Sequence, residues 1–401
     1  MLPLRLLFML LGAILGVFFP FVSIILKARG FSAEAVGFVM AASALGFTIA
    51  VPIWGHVGDT MLGRSKTLRV ACVTSTLAVL GLLLPIPAFV LALLIVLYAV
   101  SESALSPLSD ALAVNALARS PRSYARIRLL ASFGFAVASI AAGRLYDVTG
   151  FGPAPWLWAA CAVGLIVVSL WVPDVPLARL QASAGRARAG GSFGLALRIQ
   201  PRLRGLLVGL ACIHFGITAG FTFLALRLIG LGAAPSLVAL SAGISAIAEI
   251  PAMALVPRIV ARIGLRALLS ASILLYAACF VSWAFLDVPA LIVASRIASG
   301  VAFAGIATSS VLAVGQLLPP RLQGTGQSLY QMVGFGFASV LANAVGGLIY
   351  GSGGPVPLFL CSAVLAIAGA VIAWGSTPAR GEVPALPELP DVPELPDPVA
   401  A

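Results

Sequence analysis

Charge is what this sequence has least of: 9% of its 401 residues are Asp, Glu, Lys or Arg, where a soluble globular chain carries about a quarter. A water-soluble fold is excluded. Histidine occurs twice, as His56 and His214, and the five cysteines (Cys72, Cys161, Cys212, Cys279 and Cys361) stand far apart inside apolar stretches. Neither a disulfide framework nor a Cys/His zinc site can be assembled from them. No D-x-x-D acidic pair, G-x-S-x-G or Cys/His nucleophile set stands at a membrane boundary, so the chain reads as no enzyme and no cofactor is expected.

What is present is hydrophobic: 61% of the chain. Apolar runs fall at about 4–26, 35–57, 68–86, 88–114, 125–146, 155–173, 204–228, 235–257, 265–285, 289–314, 324–349 and 355–375. Each is long and continuously apolar instead of alternating every second residue, which predicts twelve transmembrane helices and not barrel strands. The run from Leu4 has no small-x-small cleavage site behind it and reads as a retained first helix.

The formal net charge of +11 is a topology signal, not a nucleic-acid surface, because the basic residues lie between the apolar runs and no aromatic platform accompanies them. Nineteen of the 24 lie at the N-terminus, in the connections after even-numbered segments, or in the C-terminal tail. Both termini are therefore expected in the cytoplasm, with the chain a multi-pass protein of the inner (plasma) membrane.

The sequence divides into residues 1–173 and 204–375, six segments each, joined by an Arg-, Ala- and Gly-rich linker over 174–203. Phe133-Gly-Phe-Ala136 recurs as Phe335-Gly-Phe-Ala338, Gly143-x-x-Tyr146 as Gly347-x-x-Tyr350, and Pro153-x-Pro155 as Pro355-x-Pro357, at offsets of 202, 204 and 202. Three matches in order indicate a parallel duplication, an all-α architecture of two pseudo-symmetric six-helix bundles around a midplane site. Residues 376–401 are Pro-rich and acidic, expected as an extended, disordered tail.

An ionisable group in hydrocarbon is costly unless it meets a partner or a wet cavity. Those inside the runs are Glu102 and Asp110 in segment 4, His214 in segment 7, Glu249 in segment 8 and Arg296 in segment 10; Arg126 and Arg128 open segment 5. Segments 3, 6, 9 and 12 hold no charge in their interiors and are expected to face lipid. On a continuous helix the eight-residue spacing of Glu102 and Asp110 puts them on one wall, about 12 Å apart. Glu102 and Glu249 each fall close to the midplane, where a carboxyl can load and unload a proton or serve as interhelical glue. Arg296 stays charged at any working pH and needs an anion, from Glu102, Glu249 or a bound solute. His214 reads as a solute contact or a hydrogen-bonded bundle histidine. Gly134, Ala138, Ala142, Gly336 and Gly346 permit close helix approach.

Gly55-His-Val-Gly-Asp59-Thr-Met-Leu-Gly63-Arg64-Ser-Lys66 resembles the signature loop G-x-x-x-D-R/K-x-G-R-R/K of the major facilitator superfamily, with Thr60 at a usually basic position and one extra residue before Gly63. The resemblance implies a cytoplasmic gate latch at Asp59 and Arg64. Pro107-Leu-Ser-Asp110-Ala and Tyr124-Ala-Arg126-Ile-Arg128-Leu-Leu-Ala-Ser132-Phe-Gly134-Phe135 are similar to the branch of phenylpropionate permease-like proteins and nucleoside and lactose proton symporters, with Ala125, Leu130 and Ala131 replacing Gly, Trp and Gly. Gly324-Thr-Gly-Gln-Ser-Leu-Tyr330 also fits that branch. It implies a secondary active transporter, monomeric in the lipid bilayer, moving a small organic solute with protons by alternating access. Glu102, His214, Glu249 and Arg296 would bind solute or proton, and Asp59, Arg64, Asp110 and Arg128 would form the gate. Arg296 points to an aromatic or other monocarboxylate. The alternatives are a drug/proton antiporter and a transport-inactive scaffold.

Overall fold

The structure, a computed structural model, describes residues 1–117, 121–174 and 193–382, without the side chains at 121–126 and 320–321. Most of the basic linker and the Pro-rich tail from Val383 therefore lie outside the described residues. Twelve apolar helices follow one another: α1 Leu2–Ala28, α2 Ala33–Leu62, α3 Arg64–Leu83, α4 Ala88–Ala116, α5 Pro121–Thr149, α6 Ala154–Ser169, α7 Pro201–Gly230, α8 Pro235–Ile263, α9 Leu265–Phe285, α10 Pro289–Leu317, α11 Leu322–Gly353 and α12 Pro355–Ser376. All twelve expected segments are helical, and no strand occurs among the described residues. A short helix, Phe193–Ile199, precedes α7.

The two halves repeat each other in backbone detail. Positive φ angles occur at Gly30, Gly63 and Gly150 in the first half and at Gly232, Gly264 and Gly354 in the second, at offsets of 202, 201 and 204. Arg29 ties the end of α1 to Leu82 O at 2.6 Å, and Arg227 ties the end of α7 to Leu286 O at 2.9 Å. Each half has an aromatic core, Phe18–Tyr98–Trp158 in the first and Tyr276–Phe280–Trp283 in the second, with centroids 4.9–6.0 Å apart.

Two expectations change. The connection between segments 2 and 3 is not an extended loop: α2 continues to Leu62 through a widened π turn, and α3 starts at Arg64. The break is Gly63 alone, at φ 84° and ψ 152°, a conformation that a Cβ forbids. Nor is α4 continuous. Pro107 has no N–H for the carbonyl of Ser103, and its ring crowds that carbonyl, so the helix opens at Ser103–Ala104 and resumes at Leu105. Glu102 and Asp110 sit on opposite sides of this break, so continuous-helix geometry does not relate them.

The halves meet through α2 against α11 and α5 against α8. Carbon added at Gly37 would lie 2.5 Å from Asn343 O and 2.6 Å from Gly347 Cα, and at Gly143 it would lie 2.7 Å from Ala239 Cβ. Backbones touch at these points. The Asp147 carboxylate accepts the Ser236 N–H at 2.8 Å at the start of α8. The hydrogen bonds and close glycine contacts between the halves lie, among the described residues, in the half of the molecule away from the termini, apart from Gly336 against Thr48 near mid-helix. The structure is sealed at that end.

Candidate functional site

Behind the seal lies a cavity shared by both halves, lined from α1 by Phe19 and Ser23, from α5 by Phe135, from α7 by Phe221, from α8 by Ser241 and from α10 by Arg296. Arg296 is 4% exposed. Its Nε donates to Ser241 O at 3.3 Å and its Nη1 to Ser299 Oγ at 2.9 Å, while Ser299 Oγ in turn donates to Arg296 O at 3.0 Å. The guanidinium carbon stands 5.2 Å from the Trp283 ring centroid and 5.7 Å from that of Phe221. Each cation–π contact contributes about 0.5–2 kcal/mol, more as water is excluded. Trp283 is fixed by its Nε1, which donates to Ser295 Oγ at 2.8 Å. The Tyr276 hydroxyl lies within electrostatic reach of the same arginine.

Glu249 lies on α8, within electrostatic reach of Arg296. No ion pair within 4.0 Å joins them. Glu249 precedes Pro251, as Glu102 precedes Pro107, so each carboxyl stands beside a point where proline interrupts the backbone ladder. Both are half-buried, and neither makes a hydrogen bond or ion pair among the described residues. Such an acid can change protonation without breaking a fixed partner, and beside a permanent cation it can sense what that cation holds.

His214 stands apart from this cavity. Its ring is 1% exposed, packed over Gly334, where an added Cβ would lie 3.3 Å from it, and edge-on to Phe335 and Tyr330, with Nδ1–H donating to Leu210 O at 2.8 Å. It touches the π turn Met332–Phe337 in α11.

The four gate candidates form two ion pairs. Arg64 Nε meets Asp59 Oδ1 at 2.7 Å, and Arg128 pairs with Asp110. Both pairs are internal to the first half. Asp174, past the end of α6, accepts the Ser65 N–H at 2.8 Å, an acid placed on the N-terminus of α3. Nothing in the sequence marks this residue, which reads there as the start of the linker. Phe221, Trp283, Ser241 and Ser299 also escaped notice, since in so apolar a chain they look like packing. An aromatic one or two turns from a membrane boundary, facing a lone intramembrane arginine, is the signal that would have flagged Trp283.

The profile of the MFS_1 like family matches residues 1–361. A maltose permease of Geobacillus stearothermophilus is 27% identical over 359 residues, covering 89% of each chain. Among solved structures, the nucleoside transporter NupG superposes with a TM-score of 0.78 at 17% identity, over 94% of this chain and 98% of that one. A D-xylose–proton symporter gives 0.66 at 15% identity, over 95% and 98%.

Proposed function

The chain belongs to the MFS_1 like family, within the major facilitator superfamily, and from that premise we propose a proton-coupled symporter of the cell's inner (plasma) membrane that takes up a small polyhydroxylated solute. The observation that carries this reading is the buried Arg296 guanidinium, which lines a cavity at the junction of the two halves, with the unpaired Glu249 carboxyl within its electrostatic reach. Residues 1–173 and 204–375 are the two moving units, with both termini in the cytoplasm and the monomer as the working form.

The sealed end then faces outward. Glu249 carries the proton, Arg296 and Ser241 orient the solute, and the flat face of Phe221, which lines the cavity, fits a sugar or nucleobase ring. Glu102 is the second protonatable carboxyl. Asp59, Arg64, Asp110 and Arg128 govern the cytoplasmic gate, with Asp174 holding α3 in place. His214 acts on α11 and not on solute. The names of the relatives, a maltose permease, a nucleoside transporter and a D-xylose–proton symporter, support the solute class.

A second reading, uptake of an aromatic or other monocarboxylate, is favoured by Arg296, which has no ion-pair partner among the described residues. Solute-induced alkalinisation of lightly buffered cells tests both. External pH rises with sugars or nucleosides if the first reading holds and with carboxylic acids if the second does, and in neither case in the Glu249→Gln variant. A drug/proton antiporter would tolerate Arg296→Gln and show no uptake-linked alkalinisation. A transport-inactive scaffold would move no solute in purified proteoliposomes.

A further inference from the structure

The repeat breaks down at one helix pair. In the first half α1 meets α5 through Gly12 and Gly16, where an added carbon would lie 1.8 Å from Ala131 O and 2.5 Å from Phe135 O. At an offset of 202 these glycines become His214 and Thr218, and side chains stand between α7 and α11. The His214 ring packs over Gly334. The hydroxyls of Thr218 and Ser339 share a hydrogen bond of 2.9 Å. One turn further along, Thr222 Oγ1 donates to Asn343 Oδ1 at 2.6 Å, and Asn343 Nδ2 donates to Ser339 O at 2.9 Å. The same offset sets Gly16, Val137, Pro20 and Ala141 opposite Thr218, Ser339, Thr222 and Asn343. None of the four first-half residues has a side chain that can hydrogen-bond, so this pair of rungs belongs to the second half alone.

The Thr222–Asn343 rung joins two places already described. Thr222 lines the Arg296 cavity. The Asn343 carbonyl is the atom that a carbon added at Gly37 would meet at 2.5 Å, in the seal between α2 and α11. Thr222 is 4% exposed and Asn343 3%, so water does not compete for the bond, and α11 is held on α7 wherever that bond is kept. A hydroxyl–amide bond can also be given up and remade, which allows α11 a second position on α7.

We infer that Thr222 and Asn343 are a positioning pair: their bond holds α11 against α2 in the sealed state and is released when that end opens, so that the cavity wall and the seal move together. The inference rests on the alternating-access reading above.

The test follows the sealed end by single-molecule energy transfer on the full-length protein in nanodiscs. Dyes are carried on Leu84→p-acetylphenylalanine and Val288→p-acetylphenylalanine, two exposed positions just after α3 and just before α10. Thr222→Val removes the donor at nearly constant volume, and Asn343→Leu removes the acceptor. Each is expected to raise the ratio of open to sealed molecules about three- to tenfold, the range that a side-chain hydrogen bond between membrane helices supplies. Combined, they should go no further than the larger single change. Thr222→Ser keeps the hydroxyl and should restore the parent ratio. Thr218→Val breaks the neighbouring rung, whose two residues are not among those lining the cavity, and should change the ratio less than about twofold. An unchanged ratio in Thr222→Val, no rescue by Thr222→Ser, additive single changes, or an equal shift in Thr218→Val would each overturn the inference. The measurement needs neither solute nor proton, so absence of solute-induced alkalinisation would count against the symport reading alone.

Discussion

A guanidinium cannot shed its charge at working pH, so a 4% exposed arginine obliges its neighbours to answer it. The Ser241 carbonyl, the Ser299 hydroxyl and two aromatic faces do so around Arg296. The fork is held by geometry as much as by charge. Arg296→Lys keeps the cation but loses the paired donors, and is expected to weaken solute binding at least about tenfold, with Arg296→Gln abolishing it, as read by equilibrium exchange with the solute found in the alkalinisation screen. The ionisable residues of this site were legible in the sequence because a charge inside an apolar run is conspicuous. Their partners were not, since Phe221, Trp283 and Ser241 become a site only when three helices bring them to one point. Asp174 was hidden for the opposite reason: an acid just past a helix looks like solvated loop until the fold sets it on the N–H of Ser65.

At the scale of elements, prolines and glycines decide where helices bend and where they touch. Replacing Pro107 with alanine restores a donor for the Ser103 carbonyl and closes the turn beside Glu102. Since an interior proline costs a helix about 3 kcal/mol, Pro107→Ala is expected to raise the thermal midpoint while slowing transport, measured by thermal unfolding and initial uptake rate. The seal between α2 and α11 makes the opposite demand. A side chain at position 37 collides with the backbone at Asn343 and Gly347, so Gly37→Val should bias the protein toward opening at that end. Labelling of Ser23→Cys by a membrane-impermeant maleimide from outside should then quicken at least about tenfold, equivalent to ~1.4 kcal/mol of population shift. Asp147→Asn removes a charge from the start of α8 and should give a smaller gain of about two- to fivefold, in keeping with ~0.3–1 kcal/mol for a charge at a helix N-terminus. Helix positions were predictable to within a few residues because hydropathy sets them. The break in α4 and the continuation of α2 were not, because both turn on the geometry of single residues, Pro107 and Gly63.

For the whole molecule, the duplication seen as short sequence matches extends to paired positive-φ glycines and to pairings of α2 with α11 and α5 with α8 that are equivalent under exchange of the halves. Sequence conveyed the repeat but not the state, since a chain that alternates between two arrangements has one hydropathy pattern for both. The chain end adds a pH dependence. The Ala379 N–H, and then Arg202, hold the Glu382 carboxyl below its ordinary value. Its anchoring is therefore complete at neutral pH and is lost as the pH falls through and below the usual carboxylate range. Protection of the Ala379 amide against hydrogen exchange should drop over that interval and stay flat from there up to neutrality. The contact between Gly37 and Gly347 has a consequence of another kind. A seam made of side chains can yield by changing a rotamer and stand ajar, whereas two backbones in contact have nothing to rotate. Such a seam has no half-shut setting, so leakage of ions through a doubly open passage is barred by steric fit, without reliance on the timing of two separate doors.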